Sequence, residues 1–282
     1  MYTYIMKKIY VIVGSTASGK SNLAIKIAKS VRGEIVNADS IQVYRDIPLL
    51  TARPTLSEEQ GILHHLYGYL DEHAVCSAAN WLEKAVATLN HIDTPIVVGG
   101  TGLYIKALTE GLNDIPPVDT TVRELVRTMP IEEVRSKVLD CSATDPQRLR
   151  RALEVQLTTG KTLSYFQSLP PVKKIKADFE ILWVNRPREE IRTRCKERFL
   201  QMLEQGAIEQ VQGLLLRTPT GGITKAIGFK EISSYLNREI SYEKMIDLAV
   251  IATCQYAKRQ QTWFKHQLKT PQIIYNPLDF NI

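Results

Sequence analysis

The chain has 282 residues, 44% of them apolar, and a net charge of +6. That length allows one large α/β core with a smaller appended unit, the apolar share excludes a disordered chain, and no apolar run reaches the about 20 residues of a membrane helix. The basic balance suits a polyanionic partner such as nucleic acid without demanding one.

Ile9 to Val13 is a short β-branched run, as expected of a buried parallel strand. Gly14 to Ser21 follows, and Ser21 to Val31 has the period of a helix, with Leu23, Ile27 and Val31 on one face. Glu34 to Ala38 is a second strand ending at Asp39, Ile62 to Cys76 has no clear period, and Trp81 to Leu89 reads as helix. Pro95 to Val98 is a third buried strand running into Gly99, Gly100, Thr101 and Gly102, with a helix from about Leu103. Thr121 to Thr159 is helical and charged, between boundaries marked by Pro116-Pro117 and Pro170-Pro171. Phe179 to Val184 is another strand, and Pro187 opens a helix at its first position, where its missing N–H costs nothing. The remainder reads as helices over Glu189–Gln205, Ile208–Leu216, Lys225–Leu236 and Tyr242 to about His266. Strands alternating with helices imply a parallel sheet covered on both faces. The predicted organisation is an α/β core, residues 1–114 and 177–282, interrupted by a small helical insertion, residues 115–176.

Gly14-Ser15-Thr16-Ala17-Ser18-Gly19-Lys20-Ser21 matches G-x-x-x-x-G-K-[ST] in full, with a strand before it and a helix after. Its glycines let backbone amides face phosphate oxygens, the following helix adds its positive end, Lys20 adds a charge, and the Ser21 hydroxyl can ligate Mg²⁺. An ordinary NTPase would show a later apolar strand ending in Asp, but Pro95–Val98 runs into glycines and Phe179–Val184 ends in Asn185. The one well-placed acid is Asp39, at a strand end beside the loop. By position it is a general base, a metal ligand or the N-cap of a following turn. Cys76, Cys141, Cys195 and Cys254 have neither metal-ligand nor disulfide-framework spacing. Met1 to Lys8 is mildly polar, lacks a signal-peptide pattern and leads straight into a strand. A soluble, cytoplasmic, monomeric protein without a membrane partner is the expectation.

The blocks Gly14–Ser21, Asn37–Arg45, His64–Leu66, Val98–Tyr104, Asp145–Glu154, Thr159-Gly160, Ala226–Glu231 and Tyr256–Gln260 with Thr262–Phe264 together resemble the tRNA dimethylallyltransferase (tRNA isopentenyltransferase) family, from about Lys8 to His266. The resemblance implies a P-loop NTPase-like fold and transfer of a dimethylallyl group from its diphosphate, with Mg²⁺, to N6 of the adenosine 3′ of the anticodon. It implies that Asp39 takes the proton of the attacking amine, with Lys20 and Thr101 also catalytic, and that Gly14 to Ser21 and Lys225 hold the diphosphate. A label of ATP-binding, which the loop alone would earn, then misnames the ligand. The tRNA anticodon stem-loop is expected to meet Asp39, Ser40, Ile41, Gln42, Thr101, Arg123, Gln147, Arg148, Leu149, Arg150, Arg151, Gln255, Lys258 and Arg259. On a helix Arg148 and Arg151 share a face suited to two phosphates, and Gln255 and Gln260 are placed to meet RNA polar edges. Trp263 and Phe264 are read as core and His64-His65 as structural.

The chain departs from the family pattern at Asp46–Arg53, where a glycine and an Ile-Gly-Thr-Ala-Lys run are usual. It departs again at Lys225 and Cys254, which stand where arginines are usual, and in a shorter insertion. A small-molecule P-loop kinase would need a lid-like arginine set near the loop, and none is recognisable in the sequence. A prenyltransferase of free adenine nucleotides would not need the basic insertion, and intact Lys20, Ser21 and Asp39 argue against a decayed, purely RNA-binding P-loop.

Overall fold

In a computed structural model, which describes residues 6–280, six strands form one sheet. The strands are β1 (Lys8–Gly14), β2 (Glu34–Asn37), β3 (His64–His65), β4 (Pro95–Gly99), β5 (Asp178–Val184) and β6 (Gln272–Ile274). Their order is β3-β2-β4-β1-β5-β6 and every pairing is parallel. Ile12, Ile96, Val98 and Leu182 pack on α1 (Lys20–Val31). Val11, Val13, Val36 and Val97, which alternate with them, are also fully buried, so both faces are covered. The first five residues of the expected lead-in Met1–Lys8 lie outside the described residues.

Parallel strands need crossovers, and here α1, α4 (Ala78–His91) and α5 (Gly102–Thr109) supply them around β2 and β4. Two short helices, α2 (Pro48–Thr51) and α3 (Leu56–Glu59), lie in the region that departs from the family pattern. After β5 come α10 (Arg188–Glu204), α11 (Ala207–Leu215), α12 (Phe229–Leu236) and the long α13 (Tyr242–Gln267). Their apolar faces share a core with Val43, Tyr44, Ile47 and Leu50.

Three expectations change. The helix predicted over Lys225–Leu236 is a 3₁₀ turn, Ile223–Lys225, then α12, because Ala226 is extended and Gly228 takes φ 96°. Pro187 is the N-cap of α10 rather than its first helical residue. β6 went unpredicted; three residues carry too little pattern.

Glu110–Lys173 forms a compact unit of its own. It holds α6 (Thr120–Thr128), α7 (Ile131–Lys137), α8 (Pro146–Thr159) and α9 (Leu163–Ser168). Its core is Val126, Met129, Val134, Leu149 and Leu153, continued by Val118, Val155 and Phe166. The unit begins and ends before the expected 115–176, because Leu112 and Val172 exchange backbone hydrogen bonds of 3.3 and 2.8 Å and close its neck ahead of Pro116-Pro117. Thr162 caps α9 inside the stretch read as a bare boundary.

Candidate active site

β1 ends at Gly14 and α1 begins at Lys20, which puts the intervening loop at the carboxyl edge of the sheet, where open parallel sheets bind ligands. Ser18 N donates to Ser15 O at 3.2 Å and curls the loop. Ala17 and Gly19 take φ of 61° and 89°, so successive amides form an anion nest. No side chain caps α1, leaving its first-turn amides and positive end open to an anion. Ser15 and Ser18 are fully buried, and among the described residues their hydroxyls have no hydrogen-bond partner. Ser21 is exposed and lines a cavity with Gly19 and Lys20. Lys20 Nζ donates to Ser15 O at 3.3 Å. Burial lowers the Lys20 pKa to about 8, with the Asp39 charge opposing and the Arg198 charge assisting.

Three arginines that follow β5 in the chain grip the loop. Arg186 Nε donates to Ser18 O at 2.8 Å, Arg194 Nε to Ala17 O at 2.7 Å, and Arg198 Nη2 to Thr16 Oγ1. The sequence reading found no lid-like arginine set near the P-loop; these three arginines bind the loop itself. β5 pairs directly with β1, so the helix that follows it emerges beside the loop although some 170 residues later. The i, i+4 spacing of Arg194 and Arg198 after a strand was the available signal. Burial also lowers the Arg198 pKa, while Cys195 and Asp39 oppose it. Burial in the same wall pushes the Cys195 thiol up to about 11.

Asp39 follows β2. Fully buried Asn37 clamps it, accepting from Asp39 N at 2.9 Å and donating to Asp39 O at 3.1 Å and Leu66 O at 3.0 Å. Asp39 Oδ1 accepts from Ile41 N at 2.9 Å and Gln42 N at 3.4 Å. The capping alternative is thus real for one oxygen, while among the described residues Oδ2 has no hydrogen-bond partner and is left for chemistry. Thr101 Oγ1 accepts from Ser40 N at 2.9 Å and donates to Ser40 Oγ at 3.2 Å, tying the Gly-Gly turn to the Asp39 loop.

A cavity of about 340 Å³ adjoins these groups. Its polar wall includes Thr16, Asp39, Arg198, Lys225, Tyr256 and Arg259; its apolar wall includes Ile41, Leu50, Phe199, Met202 and Ile227. Ser40 and Thr51 also line it. Arg198 lines in addition a second cavity, of about 440 Å³, that carries Gly19, Lys20 and Ser21. The pair therefore offers an anion grip on one side and an apolar slot with a free carboxylate oxygen on the other. Burial and the charge of Asp39 raise the Tyr256 pKa, so its phenol stays a neutral donor. Asp39, Thr16, Lys225 and Thr101 all come to this region, whereas Arg194 and Arg198 were not singled out in the sequence, and Asn37 and Tyr256 entered only as members of the matching blocks.

The expected RNA contacts divide. Gln42 is occupied structurally, its Nε2 donating to Thr51 O and Ala52 O at 3.0 and 2.8 Å. Gln255, Lys258 and Arg259 are exposed on α13, and Arg259 sits 5.7 Å over the Tyr256 ring. Gln260 is buried rather than at an RNA surface. In the helical unit, Arg123, Gln147 and Arg148 are exposed. Leu149 is 1% exposed and belongs to the core instead of an RNA face. Arg150 Nη1 donates to Val126 O and to Met129 O, the latter at 2.9 Å, so it caps α6 instead of facing a phosphate. Arg151 approaches Glu154 at 3.6 Å. His65 Nε2 meets Glu34 Oε2 at 2.6 Å and His64 Nδ1 meets Ile62 O at 2.9 Å, both structural roles. Phe264 is core and Trp263 lies half-buried against Gly102.

The family model described as IPP transferase matches residues 42–267. A tRNA dimethylallyltransferase of Caulobacter sp. is 40% identical over 278 residues, covering 92% of this chain and 90% of that protein. One from Zymomonas mobilis is 40% identical over 290 residues, covering 96% and 92%. Among solved structures, a eukaryotic dimethylallyltransferase acting on tRNA superposes with a TM-score of 0.79 at 29% identity, covering 92% of this chain and 70% of that one. The tRNA isopentenylpyrophosphate transferase of Bacillus halodurans gives 0.71 at 29% identity, covering 95% and 90%.

Proposed function

The chain belongs to the IPP transferase family, and on that premise we propose that it is a tRNA prenyltransferase that moves a dimethylallyl group from dimethylallyl diphosphate to N6 of the adenosine 3′ of the anticodon, tRNA position 37. The observation that carries the reading is that Asp39, with one oxygen free of hydrogen bonds among the described residues, lines an apolar slot beside a phosphate loop. A triphosphate hydrolase has no use for the slot formed by Ile41, Leu50, Phe199 and Met202, whereas a five-carbon chain does.

In this reading the diphosphate lies on the amides of residue 17 and residues 19–21, with Lys20, Arg198 and Lys225 around it. The adenine is extruded from its stack to reach the slot. N6 attacks C1 of the donor; the N–C bond forms as the C–O bond breaks, and the electron pair leaves on pyrophosphate. Fixed cations and amides stabilise that charge. Asp39 Oδ2 takes the proton of N6, a weak nucleophile because its lone pair is delocalised. Thr101 holds the Asp39 loop through Ser40 and meets the base.

The Ser21 hydroxyl is a hard oxygen donor that would hold Mg²⁺. Among the described residues no cluster of three or more His, Cys, Asp or Glu could hold a metal alone, so the ion would share the substrate's oxygens. An ion held there would supply positive charge against the developing phosphate charge. Arg123, Gln147, Arg148 and Arg151 of the helical unit, with Gln255, Lys258 and Arg259 of α13, are assigned to the anticodon stem-loop. No helix among the described residues is long and apolar enough to cross a membrane, and a monomer in the cytoplasm completes the reading. The test is pyrophosphate release: it should require dimethylallyl diphosphate, Mg²⁺ and tRNA together. Phosphate release from ATP without prenyl transfer would overturn it.

A further inference from the structure

Gln260 lies on α13 at 5% exposure, and both ends of its amide are engaged. Its Oε1 accepts from Thr16 N at 2.8 Å, and its Nε2 donates to Gly100 O at 2.9 Å. Those partners belong to different halves of the site. Thr16 is in the phosphate loop, and its hydroxyl holds Arg198. Gly100 precedes Thr101, whose hydroxyl holds Ser40 next to Asp39. One side chain thus joins the loop assigned to the leaving group to the turn that fixes the carboxylate. The Thr16 amide is occupied by Gln260, so the loop's anion nest begins at residue 17.

We propose that Gln260 is a positioning residue for the transfer, a buried strut that sets the spacing between the donor loop and the acceptor-side turn. The inference rests on the prenyl-transfer reading above. A carboxamide supplies one acceptor and one donor at opposite tips in a rigid plane. Among side chains of its length only Gln meets both an N–H and a C=O without changing protonation. Displacement needs the reacting atoms about 3–3.5 Å apart, and a misplacement of about 1 Å can cost about 10²-fold in rate. A strut between the two loops therefore acts on kcat, while donor affinity, set by the amides of residue 17 and residues 19–21 and by Lys20, is left alone.

Two near-isosteric variants test this. Gln260→Leu removes both bonds and should lower kcat about 10²-fold. Gln260→Glu keeps the acceptor for Thr16 but turns a carboxylate oxygen toward Gly100 O. Its protonated form donates again, and burial favours that form. Its kcat relative to the unaltered enzyme should therefore fall at about pH 8 and recover on acidification to about pH 6. Pyrophosphate affinity, measured by calorimetry on both variants, should stay unchanged. If Gln260→Leu does not fold, Gln260→Glu alone decides. Unaltered kcat in Gln260→Glu would overturn the proposal. So would a kcat loss that no pH restores and that pyrophosphate affinity follows, since that describes a residue needed only for the loop's shape. Failure of the unaltered enzyme to prenylate tRNA would fault the assigned reaction instead.

Discussion

Lys20 is held in a state that costs stability, and replacing it with methionine should make the ligand-free protein more stable. Burial brings its pKa down from 10.5 to about 8. At about 1.36 kcal/mol per pH unit this corresponds to on the order of 3 kcal/mol against the charged ammonium in the folded state. Below about pH 8 both folded and unfolded chains carry the proton and the whole cost is felt. Between about pH 8 and 10.5 the unfolded chain binds more protons, so stability rises with pH. Above that range both forms are neutral and the cost is gone. Lys20→Met keeps the length, removes the charge and leaves Ser15 O without its 3.3 Å donor, which returns about 1 kcal/mol. Urea unfolding at pH 7 should therefore show Lys20→Met more stable by about 2 kcal/mol, with the advantage shrinking by about pH 10. Pyrophosphate binding to the unaltered protein should weaken about fivefold between pH 8 and pH 9, as the lysine loses its proton. A less stable variant at pH 7, or a stability difference flat across pH, would refute the reasoning.

Further outcomes follow from the site and its supports. Asp39→Asn keeps the turn-capping oxygen but cannot accept a proton, and should lower single-turnover kcat by about 10²–10⁴-fold with tRNA affinity little changed; full activity would remove Asp39 as the base. Arg148→Ala, at an exposed position of α8, should weaken tRNA binding and reduce the slope of log K against log salt by about 1; an unchanged slope would place it off the interface. Arg150→Ala should instead destabilise the protein by about 1–3 kcal/mol by leaving Val126 O and Met129 O unpaired, seen in thermal unfolding with tRNA contacts intact. Gly99→Ala should abolish the folded site, since an added Cβ would stand 2.2 Å from Ala38 O, and a soluble, fully active variant would contradict that geometry.

What the sequence made legible is the part that repeats a local rule. The phosphate loop is continuous in the chain, its strand and helix carry strong periods, and Asp39 ends a strand next to it. The alternation of strands and helices was enough for the parallel sheet. The rest depends on contacts between distant residues. Arg194 and Arg198 look like an ordinary charged helix face until β5 is known to lie beside β1. Gln260 reads as a residue placed to meet RNA polar edges, and only the packing of α13 against the loop and the Gly-Gly turn shows it buried. Leu149 and Arg150 fall inside a run that looks uniformly RNA-facing, yet a helix gives its residues different faces: Leu149 turns to the core, and Arg150 to the end of α6. Asp39 was open among base, metal ligand and cap; the structure gives one oxygen to the cap and leaves the other available.

The central claim, prenyl transfer from a diphosphate on Gly14–Ser21 to an adenosine of tRNA, is tested most directly by following label. The protein is incubated with labelled dimethylallyl diphosphate and Mg²⁺, once with tRNA and once with AMP, and the tRNA is digested to nucleosides. Label should appear on tRNA, in N6-modified adenosine from the position 3′ of the anticodon, and depend on Asp39. Label on AMP but not on tRNA would contradict the account.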